Sequence, residues 1–208
     1  MEAFEHIAKV FLETQGYAVS TNMKFPIRRR TKKRAREEYQ EHGYEVDLVA
    51  ARADELLLGS VKSFFGSQGL SRQFFREIAD QTKRAWWESH KLFNEQEVQA
   101  GVLSGAAQRF GYPAERIFLA LFVGKFKLSH EADIRAYLAQ MRFGTGPVRL
   151  YDLPTILAGV VAEAEKKTYR DDPVVVALKC LHELKWITPQ FRAVLDGQAA
   201  PDEQSGTR

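Results

Sequence analysis

Cys180 is the only cysteine in 208 residues. An internal disulfide is therefore impossible, and a reducing, cytoplasmic setting is the expectation. Long apolar runs are missing too. Nothing approaches the roughly 18 residues that cross a bilayer, so no membrane association is expected. The N-terminal "MEAFEHIAKV" lacks a basic region leading into an apolar core, so it does not read as a secretory signal. No GxxxxGK[ST], dinucleotide fingerprint or GxSxG elbow occurs, which argues against the nucleotide and hydrolase sites those motifs build. The five histidines show no metal spacing, and with one cysteine a structural zinc site is not expected. Internal repeats are absent.

What is present fits a globular chain: 45% hydrophobic and 27% charged residues. Residues 1–196 read as a single domain, and the polar segment 197–208 as a disordered tail. The net charge is only +3, but it is unevenly spread. "KFPIRRRTKKRAR" (24–36) holds eight cations and no acid, and "EEYQEHGYEVD" (37–47) follows as an acidic stretch. Arg28, Arg29, Arg30, Lys32, Lys33, Arg34 and Arg36 suit contact with a polyanion such as DNA. The plainer alternative is a hairpin whose basic arm neutralises its acidic neighbour.

Periodicity predicts a helix over 2–15, strands over 17–27, 44–52 and 56–65, and a break at "GSQG" (66–69). A long helix is expected from Leu70 to about Lys91, with Phe74, Phe75, Ile78, Ala85 and Trp86 facing inward and Trp87 toward solvent. A weaker helix follows over 97–111. "RIFLALFVGKF" (116–126) reads as a buried central strand. Further helices are expected over 130–141, Thr155–Tyr169 and Val174–Leu184, with a short strand over 148–153. This order implies an α/β layered domain with a mixed sheet and helices on both faces.

Side chains alternate along a strand, so Glu45, Asp47 and Val49 are expected on one face and Leu58, Ser60 and Lys62 on one face of the next strand. If the short turn at 53–55 makes a hairpin, Asp47 and Lys62 come side by side. Such a pair suits metal-assisted phosphodiester cleavage: a carboxylate holds Mg²⁺, which activates water, and the ammonium stabilises phosphate charge. It also suits a plain cross-strand ion pair, worth about 0.2–1 kcal/mol. "GSQG" with Ser67 suits either a phosphate cradle or, more simply, a turn with a helix cap.

The stretch "EVDLVAARADELLLGSVKS" resembles the core of the PD-(D/E)XK, or restriction-endonuclease-like, nuclease superfamily. The opening "FEHIAKVFLETQGYAV" resembles the first helix of its Mrr-like branch, in which a glutamate, here Glu5, leans toward the site. The resemblance covers residues 3–125 and implies a restriction-endonuclease-like mixed sheet flanked by helices. It further implies a Mg²⁺-dependent DNA endonuclease with Mn²⁺ substituting, a bacterial restriction, defence or DNA-processing role, and a homodimer as one option. Asp47 and Lys62 would be catalytic, with Glu5 as a further metal ligand; Glu45, on the expected face of Asp47, is another candidate ligand. Two departures stand out: Val46 replaces the proline before Asp47, and Ser60 occupies the place of the acid before x-Lys. One subgroup of the family also has Ser-x-Lys and takes the missing acid from the following helix. Here Glu77 is the candidate. About 10 Å separates Lys62 from the strand end, and about 10 Å separates Leu70 from Glu77 on a helix running back. The other reading of Ser60 is an inactive core that binds DNA or scaffolds a partner.

Overall fold

The computed structural model describes residues 2–30, 39–195 and 197. Helix α1 (Ala3–Thr14) opens the chain and ends where Gly16 takes a left-handed φ of 84°. Three strands follow as an antiparallel meander: β1 (Ala18–Arg30), β2 (Tyr39–Arg52) and β3 (Glu55–Lys62). Past β3 come the short helices α2 (Arg84–Glu88) and α3 (Lys91–Asn94) and the longer α4 (Gln96–Phe110). Strand β4 (Ile117–Val123) lies parallel to β3. Helix α5 (Glu131–Gln140) leads through a two-residue ribbon, β5 (Arg142–Phe143) and β6 (Gly146–Pro147), to β7 (Arg149–Asp152), parallel to β4. Helices α6 (Leu153–Ala164), α7 (Pro173–Glu183) and α8 (Pro189–Leu195) complete the described chain. The main sheet is mixed, in the order β1-β2-β3-β4-β7. Pro26 sits in β1, an edge strand, where its missing N–H does no harm.

Helices cover both faces, as the element order implies. One core packs Phe25, Val49, Leu58, Leu119 and Leu121 against Phe75, α3, α4 and α5. The other packs Leu48, Leu57, Val61 and Phe122 against α1, α6 and Val175 of α7. Strand β4 contributes alternate residues to each core, which is why "IFLALFV" is apolar without interruption. Gly59 in β3 is required by this packing, since a Cβ there would lie 2.9 Å from the Phe122 ring. Among the described residues no helix is long and apolar enough to cross a membrane.

The expected long helix over 70–91 does not form. The chain instead makes three 3₁₀ turns, Arg72–Phe74, Arg76–Ile78 and Gln81–Lys83, before α2. Side-chain bonds to the backbone win over helix propagation here. Ser71 Oγ accepts from Gln73 N–H, Gln73 Oε1 from Asp80 N–H (2.9 Å), and Asp80 Oδ1 from Thr82 N–H (3.0 Å). Asn94 binds the region together: its amide donates to the carbonyls of Phe74, Trp87 and His90, and its Oδ1 accepts from Arg76 N–H (2.8 Å). The expected orientation of the tryptophans is reversed as well: Trp87 is buried and Trp86 is 46% exposed.

A second departure lies in the hairpin. Val46 and Val49 pack into the same core, while Leu48 and Ala50 pack into the other. Strict alternation would forbid this, so β2 changes sides at Asp47. Strand β1 does the same at Asn22, which adopts a left-handed φ of 53°. The register pairs Thr21 with Leu48 and Met23 with Val46 and omits the pair between them, Asn22 with Asp47. Asparagine tolerates this conformation better than most side chains.

Candidate functional site

Ladder pairing between β2 and β3 runs from Arg52–Glu55 to Leu48–Gly59 and stops there. The next opposed residues are Asp47 and Ser60. The Asp47 carboxylate takes over the bonding at this fork: Oδ2 accepts from Val61 N–H at 2.6 Å and from Ser60 Oγ at 3.2 Å. Charge-assisted bonds of this kind are the strong ones, so the fork is a built feature and not a frayed end. Lys62, half-buried, follows Ser60 by two residues on β3. The expected approach of Asp47 to Ser60 is therefore present, while no ion pair within 4 Å joins Asp47 to Lys62 among the described residues.

Two residues that the motif reading passed over complete the surroundings. His90 is 8% exposed. Burial, reinforced by the positive charge of Lys62, pushes its pKa down to about 4, so it stays a neutral imidazole. Ser89 Oγ donates to Trp86 O (2.6 Å) and lies 2.7 Å from His90 Nδ1, which assigns the ring proton to Nδ1. His90 Nε2 is then a bare acceptor, buried and without a hydrogen-bond partner among the described residues. Tyr44 is the second. Burial raises its hydroxyl pKa against a hydrogen bond from the Leu92 backbone, and the Asp47 charge adds to the rise. The sequence held no usable signal for His90, because no motif spacing surrounds it and its neighbours come from another element.

The remaining predicted carboxylates are engaged elsewhere. Glu45 does not share a face with Val49; it turns toward β1, where Asn22 Nδ2 donates to it (3.1 Å) and Lys24 Nζ lies 3.8 Å away. The side change at Asp47 is the reason. Glu5 closes the start of its own helix, accepting from Glu2 N–H at 2.9 Å. Glu77 lies exposed in the turn Arg76–Ile78, where its charge acts on Tyr137 of α5. The helix through which Glu77 was to reach the level of Lys62 is absent, so that geometric argument falls. Among the described residues no three His, Cys, Asp or Glu side chains gather as a metal cage. Asp47 alone suits a Mg²⁺ that arrives with substrate phosphates, because that ion keeps several waters and takes only one or two carboxylates.

The basic arm leaves the sheet as the far end of the β1–β2 hairpin. Arg28 is opposed to Glu41, Arg29 to Gln40 and Arg30 to Tyr39. Lys32, Lys33, Arg34 and Arg36 lie outside the described residues, as does the expected tail apart from Gly197. The "GSQG" stretch is a turn: Ser67 N–H and Oγ both reach Phe64 O at 3.1 Å, and Gly69 N–H donates to Ser67 Oγ. Gly69, at φ 103°, allows the Phe126 backbone to approach where a Cβ would stand 2.4 Å away.

No protein-family model and no curated protein matches this chain.

Proposed function

We propose that this chain is a DNA-acting phosphodiester hydrolase of the restriction-endonuclease-like kind, with Asp47 and Lys62 as its reacting pair. The observation that carries the reading is the fork itself. Asp47 stands opposite Ser60 at the point where β2 parts from β3, with Lys62 two residues further along β3. Asp47 presents a carboxylate held rigid by Val61 N–H and Ser60 Oγ. Lys62 presents an ammonium for the charge that develops on phosphate. Neutral His90, within range of the Lys62 charge, offers an acceptor and no competing positive charge. Mg²⁺, held by Asp47 together with phosphate oxygens of the bound strand, would supply a water of lowered pKa and offset phosphate charge. The hairpin end that carries Arg28, Arg29 and Arg30 would grip the DNA backbone.

A second reading has its own observation. Glu5, Glu45 and Glu77, the other carboxylates expected at the site, lie elsewhere, so Asp47 would have to hold the ion without them. On that reading the chain binds DNA without cutting it. Plasmid nicking in Mg²⁺, in Mn²⁺ and in EDTA, paired with a binding assay on the same DNA, separates the two. Cleavage that requires metal and disappears in Asp47→Asn supports the hydrolase. Metal-independent binding without nicking supports the second reading, and absence of binding rejects both.

A further inference from the structure

A slot of about 240 Å³ opens beside the fork, between the turn that follows β3 and the segment 71–86. It is smaller than the cavities that take drug-sized ligands and matches a single planar heterocycle. Its walls are aromatic. Phe64 and Phe74 lie with ring centroids 5.2 Å apart and planes at 34°, and Phe74 and Trp86 at 5.3 Å and 37°. The three rings form a tilted row whose outer member, Trp86, is nearly half exposed. Gln68 and Lys127 give the slot polar groups with which to meet the edge of a ring.

Phe64 is the telling residue. It holds a left-handed φ of 53°, a conformation in which a bulky side chain is an outlier. The turn enforces it, since Ser67 donates to the Phe64 carbonyl through both N–H and Oγ. Strain of this kind gathers at ligand clamps, where the surroundings over-determine it. The slot also begins at the end of β3 that carries Ser60 and Lys62. Phe64 follows Lys62 by two residues, and the Phe74 ring lies 4.3 Å from that of His90, which senses the Lys62 charge.

We infer that this slot receives one unstacked nucleobase from the nucleic-acid strand held at Asp47 and Lys62. The inference rests on the reading of the fork as a phosphodiester site. Aromatic stacking accepts any base, because every base presents a π-face. An unpaired base enters more readily than a paired one, since its unstacking cost is already met.

The test uses the full chain in Ca²⁺ and two DNA duplexes of one sequence, one fully paired and one carrying a single bulged 2-aminopurine. Wild-type protein is expected to bind the bulged DNA more tightly and to change the 2-aminopurine emission. Trp86→Ala should weaken binding of the bulged DNA about 5- to 100-fold, should abolish the emission change, and should leave the paired duplex bound as before. Trp86→Phe should keep most of both signals, which separates stacking from loss of fold. Equal binding of both DNAs by wild type, or bulge binding unaltered in Trp86→Ala, overturns the slot while leaving the fork reading intact. Failure to bind either DNA overturns the fork reading and the slot together. Free AMP is the remaining arm: if AMP displaces the bulged DNA and Trp86→Ala abolishes AMP binding alone, the slot belongs to a free nucleotide and the strand-borne assignment is wrong.

Discussion

At the fork a single carboxylate does two jobs. Asp47 replaces the carbonyl that an unbroken ladder would have offered to Val61 N–H, and it presents charge next to Ser60. Ser60 has a partner of its own here, since its hydroxyl donates to the Asp47 carboxylate. This arrangement sets expectations residue by residue. Lys62→Ala should lower cleavage by about 10²–10³-fold, the usual cost of removing one donor to developing charge. Glu77→Ala should leave cleavage near wild type, because Glu77 sits exposed in a turn and its charge acts on Tyr137. Steady-state cleavage of a supercoiled plasmid by both variants checks the pair. A loss in Glu77→Ala as large as that in Lys62→Ala would restore Glu77 as a metal ligand.

Among the elements, the segment 70–94 departs furthest from its local signals. Its apolar spacing satisfies a helical wheel, yet it folds as turns whose backbone groups are answered by side chains. Asn94 is the centre of that arrangement, with three carbonyls and one N–H on its amide. It holds in register the stretch that carries Phe74, Trp86 and His90. Asn94→Ala should cost about 2–4 kcal/mol, since several partly buried backbone groups lose their partner at once. Denaturant unfolding measures this, and faster amide exchange through residues 74–90 than in β3 and β4 would localise the effect. A change under about 0.5 kcal/mol would show that packing alone holds the segment.

For the whole molecule, two buried groups make folding sensitive to acid. His90 has a folded pKa of about 4 against an ordinary 6.5, so it is depressed. Between pH 6.5 and 4 the unfolded chain takes up a proton that the folded chain refuses. The stability present above pH 6.5 is therefore lost as pH falls through that window, by about 3 kcal/mol in all, and the loss levels off below pH 4. Glu55 acts further down. The hydrogen-bonded Arg149 guanidinium outweighs burial and, with Tyr17, holds its carboxyl at about 2, against 4.5. Its contribution is present above pH 4.5 and is lost as pH falls toward 2. Tyr17 in turn is pushed up to about 12, by burial first and then by its bond to Glu55. Urea denaturation between pH 7 and 3 should show the first decline, and His90→Gln should flatten it. A wild-type profile already flat from pH 6.5 to 4 would refute the buried neutral imidazole.

The sequence by itself determined the parts that depend on local period and punctuation. Alternation and turn residues set the strands of the meander β1–β3, and the uninterrupted "IFLALFV" marked a strand buried on both faces. The same logic placed Ser60 and Lys62 on one face of β3 and brought Asp47 to their level. Tertiary structure decided the rest. The change of side at Asn22 and Asp47 is invisible to a rule of strict alternation, because it requires both strands to reverse together, and it sends Glu45 to β1 instead of toward the fork. The turns in place of a helix over 70–91 depend on Asn94, which lies beyond the window any helical wheel would examine. His90 comes within range of the Lys62 charge through those turns. Local periods report which side of its own element a residue occupies; which elements meet, and which polar groups then find no water, is settled only when the two cores close on the sheet.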